Sequence, residues 1–358
     1  MTLRVTTWTV HDRSFQLAEP VETARRAWTH RPSFVVRLVD ESGRTGFGEA
    51  APPAHDSDAE FVETGRDLRQ LVEVVVARRF DAAQAVESVA EFLDAAGGVG
   101  SVARFAVETA LLDLAGQSVG LPIAALLSGV RAPRSIEVSA LLSTSSPDRA
   151  LGQARDFAAA GFRTMKVKIG RRGRWSEEVE LLGALHDEFG EAVRIRADAN
   201  CAWSAAEARA RLDELAPLGL EFVEQPVAPS ELMSMTGAPV TLAADETLAL
   251  PGALDQIIAS RACAVVVLKP AVLGGAIACI DMARRAHGAG LAVVVTHSLD
   301  GPVAIRAATH LAQALDAPPL ACGLGTSHLP PDLAGPAKSV IDPFTAPGLG
   351  LPAEQVLP

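Results

Sequence analysis

The sequence predicts an α/β protein, a TIM-like (β/α)7β barrel preceded by an α+β capping domain. Two observations carry this. From Ser135 onward, eight short β-branched runs alternate with amphipathic segments, at intervals of roughly 20–30 residues. Before that point the rhythm differs, strand-like first and then helical. With 358 residues the chain has room for both units.

Residues 1–133 are assigned to the capping domain. Phe34–Val39 reads as a strand, Asp40-Glu-Ser-Gly43 as a turn, and Thr45-Gly-Phe-Gly-Glu-Ala-Ala-Pro52 leads toward helices near 58–78, 81–95 and 101–117. The last helix takes Ser101 as its N-cap and carries Ala103, Val107, Ala110, Leu111 and Leu114 at helical spacing. Residues 11–31 lack a regular apolar pattern and are expected to form a mobile loop.

The barrel is assigned to residues 134–326, with strands at Ile136–Leu142, Thr164–Ile169, Val193–Asp198, Glu221–Glu224, Val240–Asp245, Ala264–Lys269, Leu291–Thr296 and Leu320–Gly323. Start signals mark the helices between them: Ser146-Pro147-Asp148 supplies a cap, a proline and an acid, and Ser204-Ala-Ala-Glu207 is a capping box. Strands separated by helices require right-handed crossovers and a parallel sheet, and eight of them favour closure. The tail 327–358 is expected to pack back on the cap.

Composition narrows the function. The chain has 32 Lys+Arg against 43 Asp+Glu, a net charge of −11, which disfavours nucleic acid and anionic membranes as partners. Cys201, Cys263, Cys279 and Cys322 form no CxxC pair, so neither a disulfide framework nor a zinc site is expected. No apolar signal core opens the chain, and apolar runs such as Ala264–Leu268 are too short to span a bilayer, so a reducing cytoplasm is the expected compartment. No GxGxxG or GxxxxGK[ST] motif supports nucleotide binding. An apolar patch on the cap would support a homo-oligomer.

Lysine usage points to the site. The chain has four lysines, Lys166, Lys168, Lys269 and Lys338, and uses arginine elsewhere. In Thr164-Met-Lys-Val-Lys-Ile169, alternation puts Met165, Val167 and Ile169 toward the helices and Lys166 and Lys168 inside the barrel. Successive strands end in Asp198, Glu224 and Asp245, and the next ends in Lys269, whereas Lys338 reads as surface. C-terminal strand ends meet at one mouth, where barrel active sites lie. Three carboxylates without a His or Cys cluster suit a hard cation, Mg2+ or Mn2+; the alternative is a metal-free salt-bridge network. A cation beside a substrate carboxylate would favour loss of its α-proton, with Lys168 as the candidate base and Lys269 as a second acid/base or a stabilising charge.

These segments, Lys166-Val-Lys168, Asp198-Ala-Asn200, Glu224-Gln-Pro226, Asp245-Glu246 and Leu268-Lys-Pro270, resemble the enolase superfamily, muconate-lactonising subgroup, over nearly the whole chain. The resemblance implies Asp198, Glu224 and Asp245 as metal ligands and Lys168 and Lys269 flanking a small carboxylate substrate. It implies Lys166 as an auxiliary cation, with Asn200 and Glu246 in support. Within the subgroup, Arg194-Ile-Arg196-Ala-Asp198, Val267–Gly275 and Ala321-Cys-Gly-Leu-Gly-Thr326 are similar to the o-succinylbenzoate synthases. That implies a metal-dependent syn-dehydration of a cyclohexadiene carboxylate in menaquinone biosynthesis, with Arg196, Thr296, Ser298 and Gly323 as substrate contacts. For Arg196 an ordinary ion pair is an equal reading, and His297 reads as a loop residue. The alternatives are an N-succinylamino acid racemase or dipeptide epimerase on the same scaffold, and, from another class, an inactive barrel that only binds. Dipeptide epimerases typically carry an Asp-x-Asp pair after the eighth strand, where this chain has Cys322-Gly-Leu-Gly-Thr-Ser327.

Overall fold

The computed structural model describes residues 2–22, 27–52, 58–76, 78–129, 132–142, 146–353 and 356. The cap consists of β1 (Thr2–Glu22), β2 (Ala27–Asp40), β3 (Thr45–Ala50), α1 (Asp58–Val76), β4 (Arg79–Asp81), α2 (Ala85–Ala96), α3 (Ser101–Val119) and α4 (Ile123–Ser128). Its antiparallel sheet has the order β3-β2-β1-β4. Residues 11–31, expected to be a mobile loop, instead lie largely in strands: β1 and β2 pair from Val5↔Asp40 out to Glu22↔Ala27, while 23–26 fall outside the described residues. Buried Phe15 and Leu17 pack on Ile305 and Leu329, which gives the hairpin an apolar footing that its sparse pattern concealed.

Helix α3 is buried on almost every side, with Phe105, Leu111, Leu112 and Leu114 among its core residues. Its N-cap is Gly100 rather than Ser101; the Gly100 N–H is held by the Asp67 carboxylate at 2.8 Å.

The barrel follows with β5 (Ile136–Glu137), β6 (Ala140–Leu142), α5 (Pro147–Ala159), β7 (Thr164–Lys168), α6 (Trp175–Phe189), β8 (Arg194–Asp198), α7 (Ala205–Leu215), β9 (Phe222–Glu224) and β10 (Leu242–Ala244). It continues through α8 (Ala253–Ser260), β11 (Val265–Leu268), α9 (Pro270–Leu273), α10 (Ala276–Gly288), β12 (Ala292–Val295), α11 (Pro302–Ala314), α12 (Pro331–Ala334) and β13 (Val340–Ile341). Strands β6 to β12 form a parallel sheet in chain order. The segment at 320–323 closes it: Cys322 N–H donates to Glu137 O, Ser139 N–H to Cys322 O, and Gly323 N–H to Val295 O. The first run divides in two because β5 leaves the ring to pair antiparallel with β13. Ser146 and Ser204 cap α5 and α7 as their sequences predict, the latter with the full capping box.

Buried carboxylates on the cap hold the ends of barrel helices. Glu49 on β3 accepts from Val303 and Ala304 N–H at the start of α11 and from Ser33 Oγ. Glu108 on α3 accepts from Ala276 and Ile277 N–H at the start of α10. Each satisfies helix donors that have no intrahelical partner. From the tail, Leu349 N–H reaches Asp113 Oδ1, and Gly348 pairs with Leu121 and Ile123.

Burial pushes the Glu108 carboxyl up to about 7. The folded chain therefore keeps this proton to higher pH than the unfolded chain, which loses it near 4.5. Stability is lost as pH rises from 4.5 to about 7, by an amount on the order of 3 kcal/mol. Glu108→Gln keeps an acceptor for α10 without the buried charge. In urea titrations it is expected to be more stable than wild type at pH 8, with the gap closing toward pH 4.5. A gap that does not change with pH contradicts this assignment.

Candidate active site

The parallel ladder places the charged residues. Asp198 pairs with Glu224 across β8 and β9 and with Lys168 across β7 and β8, so both acids and the lysine lie at one level of the mouth. Asp245 and Lys269 follow the last residues of β10 and β11. In the ring order β7 and β11 are separated by three strands on one side, so Lys168 and Lys269 face each other across the mouth.

The lysines and acids are interlocked. Lys166 Nζ lies 2.7 Å from both Asp198 Oδ2 and Glu224 Oε1. Lys168 Nζ donates to Asp198 Oδ2 and Asn200 Oδ1, each at 2.7 Å. Lys269 Nζ donates to Asp245 Oδ2. Asn200 is itself held between Asp198 Oδ1 and Glu246 Oε1, and it adopts a positive φ of 44° that turns the chain at the strand end. Gln225, which the sequence reading passed over, cross-braces two strand ends. Its Oε1 accepts from Asp245 and Thr247 N–H, and its Nε2 donates to Val227 O and Thr247 Oγ1. It positions Asp245.

Burial and charge oppose each other here. Burial alone would lower Lys166 and Lys269, but their carboxylate partners outweigh it and hold both ammoniums above their ordinary value. Burial likewise would raise Asp198, yet Lys166 and Lys168 depress it strongly. Glu224 and Asp245 remain raised, by burial first and then by neighbouring carboxylates. Three buried acids that repel one another require nearby positive charge.

Among the described residues, no three His, Cys, Asp or Glu side chains are grouped as a preformed metal cluster. Asp198, Glu224 and Asp245 are engaged by lysines instead. As chemistry, an all-carboxylate donor set with unrelieved repulsion fits a hard divalent cation, so the residues suit Mg2+ or Mn2+.

A cavity of about 550 Å³ opens over Lys166, Lys168 and Lys269. The charged side chains lining it are Lys166, Lys168, Lys269, Lys338, Arg31 and Arg306, all cationic, and no Asp or Glu among the described residues lines it. All four lysines of the chain border one cavity. Lys338 is exposed, as expected, but it stands at this cavity's edge.

Thr296, Ser298 and Gly323 line the cavity. Thr296 Oγ1 donates to Gly323 O, and a Cβ at Gly323 would lie 2.3 Å from Thr296 Oγ1, so only glycine leaves this passage open. Arg196 does not line it. Arg196 sits one pleat deeper in the barrel, donates to Glu221 Oε2 and Ala321 O, and stacks on Phe222 at 4.7 Å. Its geometry is that of the ion pair that the sequence equally allows.

Arg31, Trp28, His297 and His328 also line the cavity. Arg31, 1% exposed, donates from the cap to Ala51, Pro52, Ser298 and Leu299 carbonyls and pairs with Asp300, stitching the β1–β2 hairpin to the loop that carries Thr296 and Ser298. Only the tryptophan and arginine side chains themselves, in a polar stretch, could have marked this corner in the sequence.

Comparison with known proteins agrees with this architecture. Residues 149–355 match the family described as enolase C-terminal domain-like, and residues 4–128 match the mandelate racemase / muconate lactonizing enzyme N-terminal domain. The L-Ala-D/L-Glu epimerase of Bacillus subtilis is 28% identical over 310 residues, 83% of this chain and 81% of the relative. The o-succinylbenzoate synthase of Thermobifida fusca is 34% identical over 197 residues, 54% of this chain and 60% of the relative. The structure of a dipeptide epimerase from Methylococcus capsulatus, complexed with Mg and L-Arg-D-Lys, aligns with TM-score 0.82 at 26% identity, covering 97% of this chain and 99% of that one. No helix among the described residues is long and apolar enough to cross a membrane. With both halves matched and the strand-end acids and lysines in place, the chain belongs to the enolase superfamily, in its muconate-lactonising enzyme and epimerase subgroup.

Proposed function

We propose that the protein racemises or epimerises an N-acylated α-amino acid by moving its α-proton between Lys168 and Lys269. The observation that carries this reading is the placement of two lysines on opposite sides of a cavity lined, among the described residues, by cations and by no carboxylate. A free ammonium on the substrate would meet no counter-charge there, whereas an acylated nitrogen needs none. Apolar Trp28, Leu141, Leu299, Leu324 and Leu329 on the same walls suit an apolar side chain.

Asp198, Glu224 and Asp245 would hold a divalent cation, which supplies the positive charge that a carboxylate needs once its α-carbon is deprotonated. One lysine, as the neutral amine, takes the α-proton from one face. The other, as the ammonium, returns a proton to the opposite face, and the configuration inverts. Lys166 stays charged between Asp198 and Glu224 and fixes their orientation. The cap hairpin, held by Arg31, keeps water from the exposed carbanion.

The relatives favour this reading over the dehydration expected from the local motifs. Those similar over four-fifths of the chain include dipeptide epimerases and the N-succinyl-L-Arg/Lys racemase of Bacillus cereus, at 25–29% identity. The synthase reading remains the second one, supported by the 34% identity over 197 residues and by the missing acid after the eighth strand.

The deciding experiment supplies N-succinyl-L-amino acids with apolar side chains, and separately the cyclohexadiene carboxylate, to protein with Mg2+ in D2O. Loss of the α-proton signal together with appearance of the D-enantiomer is the expected result. Dehydration of the diene without α-proton exchange would replace the racemase reading with the synthase one.

A further inference from the structure

Two imidazoles line the cavity where the tail meets the loop after β12, with ring centroids 4.8 Å apart. His297 has both nitrogens engaged: Nδ1 accepts from Asp300 N–H at 3.2 Å and Nε2 donates to Gly325 O at 3.1 Å. His328 differs. Its Nε2 lies 2.9 Å from Asp300 O, a carbonyl that can only accept, so Nε2 carries the proton. In a neutral ring Nδ1 is then an acceptor, and among the described residues it has no hydrogen-bond partner. Burial, reinforced by His297, keeps the ring neutral down to about pH 3. The side chain is 7% exposed, and its backbone carbonyl is pinned by Ala18 N–H from the hairpin.

The charged side chains that line the cavity among the described residues are all donors, and His328 Nδ1 differs from them in accepting. His328 Nδ1 is not sealed from the cavity, and a ligand N–H there would replace water as its partner. We propose that His328 Nδ1 accepts the N–H of the substrate's acylamino group, which makes His328 the residue that selects an amide-bearing substrate over one without an N–H. The inference rests on the N-acylamino acid reading and adds to it the group that reads the nitrogen. Neither lysine is free for this task, since on the proposed reading one accepts and the other donates the proton at the α-carbon.

The test compares N-succinyl-phenylalanine with O-succinyl-phenyllactate, in which an ester oxygen replaces the N–H. Wild type, His328→Phe and His328→Gln are each assayed with Mg2+ by α-proton exchange in D2O and by calorimetric affinity. The intrinsic difference between amide and ester cancels when preferences are compared between variants. His328→Phe, which keeps a ring but no acceptor, is expected to lower the amide preference about 10-fold. His328→Gln retains a carbonyl acceptor and is expected to hold the preference within about 3-fold of wild type. An unchanged preference in His328→Phe, by rate or by affinity, overturns the proposal. Should neither compound exchange its α-proton, the racemase reading falls, while the affinity ratio still decides whether His328 reads the N–H.

Discussion

Lys168→Ala is expected to stop racemisation while leaving one enantiomer able to exchange its α-proton. Lys168 and Lys269 stand on opposite sides of the ring, so on the proposed two-base reading each reaches the α-proton of only one configuration. Removing one lysine takes away the base for one enantiomer and the acid for the other, and inversion is expected to fall by about 10³–10⁴ in kcat. The enantiomer whose α-proton faces Lys269 still loses it there and regains a solvent deuteron on the same face. Lys269→Ala is expected to give the mirror-image result. Lys168→Arg separates charge from basicity: the guanidinium can still pair with Asp198 but cannot take up a proton, so it should behave like alanine in exchange. Proton NMR in D2O, coupled to chiral chromatography, reads exchange and inversion separately. If each single variant loses exchange of both enantiomers equally, the two lysines do not divide the faces and the two-base reading fails.

Much of this site was legible because strands alternate with period two and barrel strands end at a common mouth. Lys166 and Lys168 lie on one face of β7, and Asp198, Glu224, Asp245 and Lys269 come at or just after the last residues of four successive strands. Alternation does not report depth. Arg196 faces inward as Asp198 does, but two residues earlier it lies one pleat lower, where Glu221 and Ala321 take its donors. The rest of the cavity is assembled from far along the chain: Arg31 and Trp28 from the cap, His297 from the loop after β12, and His328 from the tail. Nothing local fixes such contacts. The hairpin at 11–31 shows the same effect, since its order depends on Ile305 and Leu329, hundreds of residues away.

Gly48→Ala should be the most damaging small substitution in the cap. A Cβ on Gly48 would stand 1.8 Å from the Ala106 carbonyl oxygen, and one on Gly46 2.2 Å from that of Ala110. The two glycines lie on one face of β3 and let the backbone of α3 rest directly on the strand. The obstruction is helix backbone, which cannot rotate away as a side chain can. Nor can α3 retreat, because Glu108 ties its far side to α10, while β3 is tied to α11 through Glu49. The extra methyl is therefore expected to cost about 3 kcal/mol or more. Gly43→Ala is the control: it has open space around its Cβ but a φ of 80°, so it should cost only about 1 kcal/mol. Urea midpoints of the two variants separate the steric cost from the conformational one, and equal midpoints would contradict the close approach of α3. The consequence reaches the cavity as well. Displacing β3 moves Ala51, whose carbonyl holds Arg31, so Gly48→Ala should also raise KM by loosening the hairpin whose Trp28 and Arg31 line the cavity.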